Sequence, residues 1–316
     1  MKIGVSSCLL GTQCRYDGVG SKDSFVVEEL SKYFELVPYC PEAIIFGTPR
    51  ESIRLVDVEG EVRVISNKEH RDVTKELSDI SKTLALEAFE ENLCGFVFKA
   101  KSPSCGIERV KLYENNSNMC EKKAVGLFAQ AVKDKQPLLP IEEDGRLNDP
   151  WLKENFLMQI FAYADLRKFL DDTPTFKALV EFHTSYKYLI YAKGQASYKK
   201  LGAIVANHDK KSLEEVLEEY KYNFLLAIGE KGNINKTYNV LLHIFGYFKK
   251  LINKDEKEHI LTACQEYKEG IIPLIAVVKL LNLYVKRFDD KYLKVQKFLN
   301  PYPKELALRS DLKAYK

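Results

Sequence analysis

Three short apolar runs, each followed by helix-like sequence, constrain this chain most: Lys2-Ile3-Gly4-Val5, Glu35-Leu36-Val37-Pro38-Tyr39 and Gly95-Phe96-Val97-Phe98-Lys99. Runs this short and this continuously apolar suit parallel strands buried on both faces. Val62-Arg63-Val64-Ile65 and Pro137-Leu138-Leu139-Pro140-Ile141 read as further extended pieces. Helical spacing of apolar residues covers Asp23 to Phe34, Thr74 to Leu93 (with Asp72 or Thr74 as its cap) and Val125 to Lys133. The rhythm predicts an α/β domain: a small, mostly parallel sheet with helices on both faces.

The pattern changes after residues 142–150, a polar stretch with Gly145 and Pro150. Beyond it run long helical periods at Trp151–Leu170, Pro174–Tyr191, Ser212–Leu226, Thr237–Leu251, Asp255–Glu269 and Pro273–Tyr284, with little alternation. Residues 1–146 therefore form the α/β domain, and residues 147–316 an all-α helical domain.

Each of the three strand-like runs leads into a cysteine: Cys8, Cys40 and Cys105. Ligands of open α/β sheets bind outside the carboxyl ends of the strands, so thiols from distant segments can converge there. Their neighbours are Gly, Pro, small polar residues and charges, as in loops on a rigid strand end rather than a core. Converging thiolates suggest a metal or iron–sulfur site, and three rather than four leave one position open for chemistry. Cys94 and Cys264 lie in apolar helical contexts and read as small buried hydrophobes. Cys120 sits in a polar surface turn. Cys14, six residues after Cys8, is either near the site or incidental. Seven cysteines cannot pair completely, which argues against a disulfide framework.

No apolar run reaches the roughly 20 residues of a membrane-spanning helix, and the first residues read as a strand rather than a signal peptide. The expectation is a cytoplasmic protein without membrane partners. Charge is uneven. Residues 1–148 carry 20 Lys and Arg against 24 Asp and Glu, a net −4; the remainder carries +7, giving the overall +3. A basic second half suits a polyanion such as RNA or a solvated lysine-rich helical surface. Within it, His183, Lys187 and Tyr191 share one helix face at i, i+4 spacing, and Asn239, His243 and Tyr247 share another, with Lys249 close by. Such faces either contact phosphates and bases or form a buried interhelical hydrogen-bond network.

Three segments together carry a resemblance. They are Ser7-Cys8-Leu9-Leu10-Gly11 with Arg15-Tyr16-Asp17-Gly18, Cys40-Pro41-Glu42 with Thr48-Pro49-Arg50, and Lys99-Ala100-Lys101-Ser102-Pro103-Ser104-Cys105-Gly106. In order and content the first half resembles the thiouracil desulfurase (TudS-like) family. It departs from the family pattern at Ala43-Ile44-Ile45-Phe46-Gly47, where Gly-Gly-Leu is common. The second half resembles the YbgA-like domain through Phe182-His183-Thr184-Ser185-Tyr186-Lys187, Tyr198-Lys199-Lys200-Leu201-Gly202, the segment from Asn239 to Lys249, and Gln296-Lys297-Phe298-Leu299-Asn300-Pro301-Tyr302-Pro303. Proteins that join both halves resemble RudS-type desulfidases of 4-thiouridine in tRNA.

That resemblance implies a 4Fe–4S cluster held by Cys8, Cys40 and Cys105. It implies a non-redox desulfuration in which the open iron takes the thiocarbonyl sulfur while water attacks the ring carbon. Glu42 is the expected general base and acid. Ser102, and secondarily Ser104, would bond the base or the developing oxyanion. Arg15 and Lys101 would hold phosphate or balance the cluster's charge, while Asp17 builds its turn. The expected substrate is thiolated tRNA, contacted also by His183, Lys187, His243 and Lys249. The rivals are a small thiolated pyrimidine, with the helical domain only stabilising, and a non-catalytic iron–sulfur sensor. Oligomeric state is left open.

Overall fold

The computed structural model describes residues 1–115 and 117–306. The chain divides into two compact units, Met1–Phe156 and a second from Leu157 onward. In chain order the first unit contains β1 (Lys2–Ser6), β2 (Glu35–Tyr39), α1 (Pro41–Phe46), β3 (Ile53–Val58), β4 (Glu61–Ser66) and α2 (Thr74–Glu90). It continues with β5 (Phe96–Phe98), β6 (Val110–Glu114), β7 (Cys120–Ala124), α3 (Leu127–Lys135) and β8 (Ile141–Glu143).

One sheet has the order β2-β1-β5-β8 and is parallel throughout. Its strands are short because each serves as a buried rail between loops. Phe96 and Phe98, two apart and therefore on one face, stack at 4.0 Å, and Phe128 of α3 meets Phe98 edge-on at 5.7 Å. All three rings are fully buried, worth about 2–3 kcal/mol each in removed apolar surface. With β1 paired to both β2 and β5 in parallel, the carboxyl ends of these strands are neighbours by construction.

The first unit holds a second sheet as well, of order β4-β3-β6-β7, which mixes antiparallel and parallel pairing. Leu55, Val64 and Leu112 bury against Leu77 of α2. Three local departures from the sequence reading have physical causes. Asp23–Phe34 forms a π-type turn at Phe25–Glu29 and a 3₁₀ turn at Leu30–Lys32 rather than a regular helix. Its buried residues Val26, Leu30 and Phe34 are each four apart, and a turn wider than 3.6 residues keeps them in line. Pro137–Leu139 lies in a turn, and the strand begins only at Ile141, since prolines at 137 and 140 lack the N–H a ladder requires. Cys120 opens β7 and is exposed there.

Helix α4 (Pro150–Asp171) runs across the division between the units. Its first turns pack with the first unit, where the Lys153 ammonium lies 4.2 Å from the centre of the Phe25 ring. The division therefore falls inside α4 rather than at 146/147. The second unit continues with α5 (Phe176–Lys193), α6 (Gln195–Ala206), α7 (Leu213–Gly229), α8 (Ile234–Phe248), α9 (Lys254–Lys268), α10 (Leu274–Arg287) and α11 (Lys291–Lys294). It has no strand among the described residues. Its core centres on Tyr186, Tyr220, Phe224 and Phe248, all buried. Ser212 with Glu215, and Asn253 with Glu256, close capping boxes at the starts of α7 and α9, each satisfying two otherwise orphaned N–H groups. Among the described residues no helix is long and apolar enough to cross a membrane.

Candidate active site

The carboxyl ends of β1, β2 and β5 open into one cavity of about 210 Å³. Cys8 reaches it from the 3₁₀ turn Ser7–Leu10 directly after β1. Cys40 reaches it as the residue capping α1 directly after β2, with Pro41 fixing the first helical turn. Cys105 reaches it from the loop after β5. Cys14 is a fourth thiol on the same wall and is buried, and its backbone carbonyl accepts from the Cys40 thiol at 3.8 Å. Cys94 and Cys264 are buried and are not among the residues lining this cavity.

The loop carrying Cys105 is held from several sides. Gly106 N–H donates to the Ser102 carbonyl at 2.9 Å, and the Ser104 carbonyl accepts from Phe128 and Ala129 at the start of α3 at 2.9 and 3.1 Å. Gly126 packs so closely here that a Cβ would stand 2.5 Å from the Ser104 carbonyl oxygen, so only glycine fits. Ile107 N–H donates to the Glu143 carboxylate of β8 at 2.7 Å. Lys99 pairs with Asp144, which also accepts from Ala100 N–H at 2.7 Å.

Glu42, in the first turn of α1, is the hub of the cavity's polar wall. Its Oε1 accepts from Ser104 Oγ at 2.5 Å and Ser102 Oγ at 3.3 Å. Its Oε2 accepts from Arg50 Nη2 at 2.9 Å. Ser104 Oγ also lies 3.5 Å from Cys105 Sγ and 3.0 Å from Ser102 Oγ. With one hydroxyl proton, Ser104 favours the charged carboxylate over the weaker sulfur acceptor. Ser102 Oγ accepts from the N–H groups of Ser104 and Cys105 at 3.3 and 3.2 Å, which fixes where its own proton can point.

Arg50 is the functional residue that the sequence alone left without a role. Its side chain is only 5% exposed, against 14% for Glu42. Nη1 donates to the Cys14 carbonyl at 2.7 Å and to the Gly47 carbonyl at 3.2 Å. The signal was present in Thr48-Pro49-Arg50, but nothing in it names a partner.

Arg15 and Lys101 also line the cavity. Arg15 pairs with Asp17 at 3.3 Å and lies over the Tyr16 ring, while Asp17 accepts from Val19 N–H within its turn. Lys101 is exposed, with a left-handed backbone at φ +63°.

Cys14, Cys40 and Cys105 are each pushed toward the protonated thiol. The Cys14 bond pushes Cys40 upward, with burial adding to it. For Cys14, the bond from Cys40 pulls down, but the bond to Cys8, burial and the Cys8 charge together push it up to about 11. Burial pushes Cys105 up to about 12 despite the Ser6 and Ser104 hydroxyls. A metal centre here would supply the positive charge that displaces those protons.

Three thiols entering one cavity from separate strand-end loops are a soft donor set of the kind an iron–sulfur centre takes. Among the described residues no group of three Cys, His, Asp or Glu gathers about one point.

The helical unit places its candidate residues differently. His183 is half-buried on α5, with Nδ1 3.2 Å from the Tyr220 hydroxyl of α7. That is the interhelical network rather than an open face. The Lys187 ammonium lies 5.9 Å from the centre of the Tyr198 ring. Tyr247 is exposed and stacks on Tyr292 at 5.5 Å. His243 is exposed, with its ring 5.3 Å from that of Tyr191, and Lys249 is exposed at the end of α8.

Comparison with known proteins follows this division. Residues 3–144 match the family model described as 2-thiouracil desulfurase, and residues 187–303 match a family of unknown function, DUF1722. The uncharacterised protein YbgA of Escherichia coli (strain K12) is 28% identical over 157 residues, covering 49% of this chain and 93% of YbgA. The uncharacterised protein YbbK of Bacillus subtilis (strain 168) is 33% identical over 152 residues, covering 46% of this chain and 97% of YbbK. Among solved structures, a [4Fe-4S]-dependent thiouracil desulfidase, TudS, aligns with a TM-score of 0.39 at 24% identity, over 47% of this chain and 93% of that one. Through its first half the chain belongs to the 2-thiouracil desulfurase family.

Proposed function

We propose that this protein removes sulfur from thiolated uracil, with 4-thiouridine in tRNA as its substrate, and that Cys8, Cys40 and Cys105 hold a 4Fe–4S cluster for the purpose. One observation carries the reading. The three cysteines shared with the family and the Glu42-Ser102-Ser104 group line the same small cavity.

Cys8, Cys40 and Cys105 would hold the cluster, which would supply a Lewis-acidic iron suited to a soft thiocarbonyl sulfur. The chain's own residues supply the proton chemistry. Glu42 takes one proton of the attacking water and returns it to the departing sulfur; the C–S bond breaks as the new hydroxyl loses its proton and closes to a carbonyl, so that sulfur leaves as sulfide with the two protons of the water. The Ser104 and Ser102 hydroxyls, both already directed at Oε1, turn to the developing oxyanion as Glu42 becomes neutral. Lys101 and Arg15 line the cavity and offer cations to a phosphate.

The test is anaerobic reconstitution with iron and sulfide, absorption spectroscopy, and turnover followed by loss of the thiocarbonyl near-ultraviolet band. Cluster and turnover on thiolated tRNA are expected. Turnover on free base alone would reassign the substrate, and a cluster without turnover would reassign the protein as a sensor.

A further inference from the structure

We infer that Arg50 is a positioning residue for Glu42, an inference that rests on the reading of Glu42 as the proton acceptor. The two oxygens of Glu42 have different partners: Oε1 faces two serine hydroxyls and Oε2 faces Arg50. A carboxylate turns readily about its last torsion, and the serines alone would bond either oxygen. Arg50 breaks that equivalence. Its guanidinium is a planar fork, with one arm on Oε2 at 2.9 Å and the other on the Cys14 carbonyl at 2.7 Å. The carboxylate plane is thereby tied to the backbone of the loop between Cys14 and Tyr16, which lines the cavity.

Near-complete burial makes the tie specific. At 5% and 14% exposure neither partner can exchange the other for bulk water, and a buried charge without its mate is costly. Lysine keeps the charge but, as a point donor on a flexible stem, cannot reproduce the fork. The ordinary alternative is an ion pair that only fastens α1 to the following loop, since Nη1 also reaches the Gly47 carbonyl at 3.2 Å. Those carbonyl bonds, unlike the ion pair itself, would serve folding equally whether residue 42 is Glu or Gln.

The experiment uses the full chain, reconstituted anaerobically, with 4-thiouridine nucleoside as the probe. Arg50→Lys is made alone and with Glu42→Gln; cluster absorbance per protein, kcat and KM are read for each. Arg50→Lys should load the cluster as the unsubstituted chain does and lower kcat about 10- to 100-fold, the value of a hydrogen bond to a charged group. KM should change little, and no further loss should appear in the Glu42→Gln background. Arg50→Ala, where it folds and loads, should recover part of its kcat on addition of guanidinium ion. Near-normal kcat in Arg50→Lys, an equal loss in both backgrounds, or failure of Arg50→Lys to load the cluster would each make Arg50 a structural residue and overturn the inference. An unsubstituted chain that loads its cluster but turns over no thiolated substrate overturns the functional reading and this inference with it.

Discussion

Glu42 sits two residues beyond Cys40, and the proposed function asks opposite properties of the two: Cys40 is to give up its proton to a metal and Glu42 to pass one back and forth. Cys14 and burial raise the Cys40 thiol, so a metal must supply the charge that displaces its proton, while Glu42 is held by Arg50 and two serine hydroxyls. Glu42→Gln keeps the shape and removes the proton acceptor. It should retain the cluster spectrum while losing roughly 10²–10⁴-fold in turnover, the usual contribution of one general base; near-normal turnover would move the role to another group, with Lys101 the first to try. The thiols give a second prediction. Cys8→Ala, Cys40→Ala and Cys105→Ala should each abolish cluster loading, measured as iron per protein and visible absorption. Cys264→Ala, in the core of the helical unit, should load normally. An intact cluster in Cys105→Ala would bring Cys14 forward as a ligand, since its buried thiol lines the same cavity.

At the scale of elements, what the sequence disclosed depended on how one-sided each segment is. Strands β1, β2 and β5 could be read from continuous apolar runs, and their parallel pairing then put Cys8, Cys40 and Cys105 at one end of one sheet. The second sheet escaped because β6 and β7 carry lysines and glutamates on their exposed positions and only Val62–Ile65 stood out. Helix α6 escaped as well, since Gly202 interrupts it and it buries only Leu201 and Ile204. Arg50 could not be assigned because its partners, Glu42 and the Cys14 carbonyl, are set by the fold rather than by spacing. The α5–α7 pair shows the same limit and yields a prediction. The sequence left His183 open between an exposed contact face and an interhelical network, and packing sets its ring against Tyr220. Burial first, and the Lys187 ammonium second, push its pKa down to about 4, against about 6.5 in an unfolded chain. Between those values the unfolded chain binds the proton and the folded chain does not. Stability is therefore fully present above about pH 6.5 and falls as pH drops toward 4, by at most roughly 3 kcal/mol at about 1.4 kcal/mol per pH unit. Urea midpoints across that window should slope less for His183→Gln, and equal slopes would show that His183 titrates normally in the folded state.

For the whole molecule, the division of charge matters more than its sum. A net −4 over residues 1–148 and +7 over the remainder put the lysine surplus on the half that lacks the cysteine cavity. If the helical unit grips tRNA, as proposed, affinity is set largely by phosphates and falls with salt through counterion release. Neutralising six phosphates would cost on the order of 10³-fold in affinity between about 50 and 200 mM salt. Turnover of free 4-thiouridine, which needs only the cavity, should stay nearly constant over the same range. Lys249, exposed at the end of α8, and Lys187, held beside the Tyr198 ring, are the cations to remove together. Lys187→Ala with Lys249→Ala should weaken tRNA binding about equally for any sequence and reduce the salt slope by about 1 for each phosphate no longer neutralised. Cluster absorbance and free-nucleoside turnover should not move. A double variant that binds tRNA with the unsubstituted salt slope would leave the tyrosines, histidines and lysines of this unit as internal packing. The substrate would then be the small thiolated pyrimidine that the cavity can take unaided.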